Sequence, residues 1–113
     1  MSAAAVIALA RSGNGPVEVV GTSALAEELR QVLGERILPT QSGQRPQVIV
    51  ETTGEAAALE AALQGVADLG MVVIAGPSPP GPVALDLYTD VHVRGLTLAG
   101  VPSGEAVPSG VRA

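Results

Sequence analysis

Stretches with helical spacing of apolar residues alternate along the chain with short, continuous β-branched runs. Ala3-Ala4-Ala5-Val6-Ile7-Ala8-Leu9-Ala10 is alanine-rich and free of glycine and proline, which predicts a helix that Gly13-Asn14-Gly15-Pro16 stops. Val17-Glu18-Val19-Val20 predicts a buried strand. Thr22 or Ser23 can cap the next helix, in which Leu25, Leu29, Val32 and Leu33 share one face and which Gly34 ends. Arg36 to Pro39 makes at most a stub of strand, and Gln41 to Pro46 is a polar loop.

Gln47 to Glu51 predicts a second clear strand. Thr52-Thr53-Gly54-Glu55 reads as a capping box, with Thr52 as N-cap and Glu55 reaching back. The helix it opens carries Leu59 and Leu63 one turn apart and stops at Gly65. Met71 to Ala75 is a third apolar strand of the kind buried on both faces of a parallel sheet. A proline-rich loop from Gly76 to Pro82, a short amphipathic helix from Asp86 to Arg94 and a last strand from Leu96 to Val101 follow. Strands and helices in this order predict an α/β fold with a doubly wound parallel sheet over residues 1–101 and a flexible tail over 102–113.

Composition removes several chemistries. With no cysteine and one histidine, His92, the chain offers no zinc site, disulfide framework or thiol nucleophile. No lysine is present for a Schiff base. A formal charge of −5 and a single aromatic residue, Tyr88, argue against nucleic-acid binding. No apolar run reaches the ~18 residues of a membrane span, and Ala8-Leu9-Ala10 lacks the basic leader of a signal peptide, so the expected location is cytoplasmic.

The ordered segments resemble the nucleotide-binding domain of medium-chain dehydrogenase/reductases, the superfamily of zinc-type alcohol dehydrogenases and quinone oxidoreductases. The resemblance is carried by Ala5 to Arg11, Val17 to Ser23, Val48-Ile49-Val50-Glu51-Thr52-Thr53-Gly54 with Ala56 to Leu63, Met71 to Gly76, and Leu85 to Gly100. It implies a Rossmann-like sheet from which the first strand and its G-x-G-x-x-G turn are missing. Gly13-Asn14-Gly15 does not replace that turn, because it follows a helix and leads into a strand. In the strand order 3-2-1-4-5-6 the first strand is central. Its absence would leave the strands at Val17 and Val48 with facing open edges, to be met by direct re-pairing, by a strand from another chain or by edge-to-edge association. The resemblance also implies dimerisation through the last strand, Leu96 to Val101.

Site residues follow from the resemblance alone. Gly21-Thr22-Ser23 stand where an acidic residue would bind ribose, a combination suited to the 2′-phosphate of NADP; a glycine turn and helix cap explain them without a ligand. Thr53-Gly54 and Ala75-Gly76 follow the ends of two strands, where the family's loops touch the cofactor. No catalytic residue and no metal ligand is assigned, and the expected cofactor is none or weakly bound NADP. His92 reads as a structural, half-exposed residue, and Ser23 and Ser78 form no triad.

The implied function is a truncated or degenerate medium-chain alcohol dehydrogenase-like nucleotide-binding domain without catalysis of its own. One alternative is part of an NADP-dependent oxidoreductase completed by another chain or an upstream extension; another is a small ligand-binding or regulatory α/β module. The expected partner is a second copy or a completing polypeptide.

Overall fold

The computed structural model describes residues 2–13, 15–39, 43–76 and 82–101. Its elements run α1 (Ser2–Ser12), β1 (Val17–Val20), α2 (Ala24–Leu33), a 3-10 turn (Gly34–Arg36), β2 (Val48–Glu51), α3 (Ala56–Gly65), β3 (Met71–Ile74), a π-helical turn (Leu87–His92) and β4 (Thr97–Gly100). The fold is the α/β, Rossmann-like parallel sheet that the alternating pattern predicts. The tail at 102–113 and residues 77–81 of the proline-rich loop lie outside the described residues.

Side-chain period sets which face each strand residue covers. Val17, Val19, Val48, Val50, Val73, Ala75 and Val101 meet Val6 and Ala10 of α1 and Ala26, Leu29 and Leu33 of α2. On the opposite face Ile49 and Val72 meet Ala62 and Leu63 of α3, with Leu85, Val91 and Leu98 packed against them. The two cores share one sheet, and the apolar runs of β2 and β3 are near-continuous because these two strands are covered on both sides, whereas Glu18 of β1 and both ends of β4 are exposed.

The sheet order is β1-β2-β3-β4, all parallel. The predicted stub at Arg36 to Pro39 reduces to a single parallel bridge, Val17 to Ile37, on the outer side of β1. The open edges expected at Val17 and Val48 do not occur. β1 pairs with β2 directly, in register from Val17–Val48 to Val20–Glu51. Of the three routes that could satisfy those backbone groups, the chain takes re-pairing, which costs no second molecule.

Two local expectations change as well. The Asp86 to Arg94 helix is a π-helical turn with Leu87, Tyr88 and Val93 exposed. Its five-residue hydrogen bonds include Val93 N–H to the Tyr88 carbonyl at 2.9 Å and Leu96 N–H to the Val91 carbonyl at 3.0 Å. The capping box before α3 does not form: the N-cap is Glu55, with no side-chain cap bond.

Candidate functional site

In an open α/β sheet, ligands bind beyond the carboxyl ends of the strands, where successive connections leave on opposite faces. Here that divergence falls between β1 and β2, since α2 packs on one face and α3 on the other. The predicted residues Gly21, Thr22, Ser23, Thr53, Gly54, Ala75 and Gly76 all lie at this end of the sheet.

The three loops touch. Gly21 has φ +119°, and a Cβ there would collide with the Thr52 hydroxyl. A Cβ on Gly76 would stand 2.5 Å from the Thr52 carbonyl oxygen and 2.8 Å from the Gly54 nitrogen. Ser23 caps α2, its hydroxyl accepting from Ala26 N–H at 3.2 Å, while Thr22 is exposed. Ala75 is buried in the core below, its N–H donating to the Glu51 carbonyl at 2.9 Å.

Two residues outside the predicted site set, Thr52 and Glu51, organise the centre. Thr52 is 4% exposed and donates its hydroxyl to the Val20 carbonyl at 2.7 Å, tying β2 to β1 instead of capping α3. Glu51 is 1% exposed, and its carboxylate accepts from Thr53 N–H at 2.7 Å, Gly54 N–H at 3.2 Å and the Thr53 hydroxyl. A carboxylate ending an apolar run was the available signal, because a buried charge must find donors nearby. Arg30 closes the side of the site, its Nη2 donating to the Val19 and Gly21 carbonyls at 2.9 and 2.7 Å.

These contacts decide what the site can hold. Binding a dinucleotide pyrophosphate calls for free backbone N–H groups. The Thr53 and Gly54 N–H groups are already used by the Glu51 carboxylate. Those two N–H groups are therefore not free for a pyrophosphate.

Elsewhere the chemistry is sparse. His92 is exposed and lies against the Tyr88 ring, centroids 5.4 Å apart. Asp86 caps the π-helical turn by accepting from Thr89 N–H at 3.2 Å, and bonds from the Thr89 backbone and then its hydroxyl hold its carboxyl below the usual range. Among the described residues, no group of three or more His, Cys, Asp or Glu could hold a metal ion. No helix among them is long and apolar enough to cross a membrane. A groove of about 580 Å³ opens at the opposite end of the sheet, lined by Leu9, Val48, Leu69, Met71 and Thr97 among others.

No protein-family model matches the sequence, and no curated protein matches it either. Solved structures do. A protein assigned as a zinc-binding dehydrogenase from Clostridium scindens superposes with a TM-score of 0.74 at 19% identity, over 91% of this chain and 40% of its own. D-arabinose dehydrogenase from Sulfolobus solfataricus gives 0.57 at 13% identity, over 93% and 44%. L-idonate 5-dehydrogenase from Escherichia coli gives 0.52 at 17%, over 88% and 31%. The chain has a Rossmann-like fold. It spans less than half the length of each of these dehydrogenases.

Proposed function

We propose that this chain is a truncated or degenerate nucleotide-binding domain of the medium-chain alcohol dehydrogenase type, without catalysis of its own, serving as a binding or assembly piece. The observation that carries this reading is the direct pairing of β1 with β2. That pairing closes the central place which the 3-2-1-4-5-6 order gives to the strand bearing the glycine-rich turn. Support comes from the dehydrogenase likeness over 91% of the chain and from the set of site residues, none of which is a nucleophile with a base beside it.

Any remaining affinity is for NADP, weak, and centred on Gly21, Thr22 and Ser23 with Thr53, Gly54, Ala75 and Gly76 around them. Thermal unfolding with NADPH and NADH tests this. A ligand at its Kd adds about 0.4 kcal/mol and one at a hundred times its Kd about 2.7 kcal/mol. The expected shift at 1 mM NADPH is under about 3 °C; a shift above about 10 °C marks a retained dinucleotide site and overturns the reading.

A second reading is favoured by the 40% span of the Clostridium protein: the chain is one part of an NADP-dependent oxidoreductase that another polypeptide or an upstream segment completes. Coding sequence upstream of Met1 that specifies a strand and a G-x-G-x-x-G would favour it. In either case the assembly is a second copy of this chain or a completing polypeptide, and β4, the terminal strand of the sheet, is the edge through which a second copy joins.

A further inference from the structure

The two edges of the sheet are built differently. Val20 turns its carbonyl toward β2, where Thr52 N–H donates to it at 3.1 Å, so Val17, Val19 and Gly21 turn theirs outward. Each outward carbonyl has a partner. Val17 accepts from Leu38 N–H at 2.8 Å, and Val19 and Gly21 both accept from the Arg30 guanidinium, at 2.9 and 2.7 Å.

At the other edge, Thr97 and Val101 donate their N–H groups inward to Gly70 and Ile74, each at 2.9 Å. Leu98 and Gly100 therefore face outward, and among the described residues nothing pairs with them. Thr97-Leu98-Ala99-Gly100 contains neither a charge nor a proline, the usual means of blocking an edge.

We propose that Arg30 is an edge guard: it occupies the carbonyls through which a strand would add to β1, so a second copy of this chain joins at β4 only and assembly ends at a symmetric pair. A molecule with two open edges can extend without limit, whereas one with a single open edge is satisfied by a twofold partner. The guanidinium suits the task because one planar group reaches two carbonyls two residues apart, and its charge strengthens both bonds. The β4 half of this inference rests on the homo-oligomer reading above; the β1 half rests on the Arg30 bonds alone.

Four proteins test it by sedimentation velocity over a hundredfold concentration range, with circular dichroism confirming that each is folded: the unaltered chain, Arg30→Ala, Gly100→Pro, and the double variant. Gly100→Pro removes an outward N–H from β4, and a Cβ there meets nothing within 4 Å. The unaltered chain is expected to stop at a dimer and Gly100→Pro to be monomeric. Arg30→Ala should form species larger than the dimer, and the double variant, with only β1 open, should return to a dimer or smaller. Folded Arg30→Ala no larger than the unaltered chain overturns the guard. Where the unaltered chain is a dimer, a double variant as large as Arg30→Ala overturns it too, since the growth is then not edge addition. If the unaltered chain stays monomeric while Arg30→Ala and the double variant pair alike, the guard stands and the β4 interface fails.

Discussion

At the residue scale, arginine carries much of the tertiary bonding, through carbonyls more than carboxylates. Arg36 donates to Gly13 and Gly15 carbonyls at 2.7 and 3.0 Å, and Arg45 to the Gln64 carbonyl at 2.8 Å. Arg94 joins the Leu63 and Val66 carbonyls to Asp68, 2.9 Å away. Each closes a chain end where helix or strand leaves carbonyls unmatched. Glu51 does the converse with N–H groups, and no isostere serves equally. Glu51→Gln keeps one accepting oxygen but buries an amide NH₂ facing donors, so it should cost about 2–4 kcal/mol in urea unfolding. Leu69 is the opposite case. It is 78% exposed at φ +65°, a conformation that L side chains other than Asn and Asp adopt only with strain. Leu69→Asn is expected to raise stability by about 0.5–1 kcal/mol, read as a higher urea midpoint at unchanged m-value. Glu51 left a signal, a carboxylate closing an apolar run with its donors two and three residues on, whereas the positive φ of Leu69 had none in the sequence.

At the element scale the pattern was read well where one element settles its own ends. Ser23 caps α2 and Gly34, at φ +47°, ends it with its N–H on the Arg30 carbonyl, as local spacing predicts. Ser23→Ala should therefore lower stability by about 1 kcal/mol. Thr52 departs from its local pattern, because the capping box competes with a partner 32 residues away: the Val20 carbonyl takes the hydroxyl once β1 and β2 pair. The π-helical turn likewise carries only the pattern of an ordinary helix in its sequence. Its cap predicts a pH response. Because Asp86 is held below the usual range when folded, its contribution is complete above the unfolded pKa and is lost as pH falls through the folded one. The Thr89 amide should thus keep its bonded chemical shift at neutral pH and lose it only below about pH 4.

At the scale of the whole molecule, strand identity was legible and strand adjacency was not. Short apolar runs locate all four strands, most clearly β2 and β3 with both faces covered, but nothing local says which edges meet. Direct pairing of β1 and β2 has a topological result. With the Ile37 bridge outside β1, the chain steps outward once and then returns across β1 to β2, β3 and β4. Numbering that bridge as a strand gives the order 2-1-3-4-5, the other common doubly wound arrangement, whose crossover point lies beside its first strand. The site residues of β1 and β2 thereby become neighbours, and the Thr52 hydroxyl and Gly21 fill the crevice between them. Strand spacing tests this. Adjacent strands lie about 4.8 Å apart, and an inserted strand would place β1 and β2 about 10 Å apart. Amide and Hα cross-peaks should therefore connect Val17–Val20 with Val48–Glu51 in the register Val19 to Val50. Their absence, with cross-peaks from both strands to a third, would show the sheet open at its centre. The same spectra report whether adding a completing polypeptide removes the β1–β2 cross-peaks, which distinguishes a closed domain from a half-enzyme awaiting its missing strand.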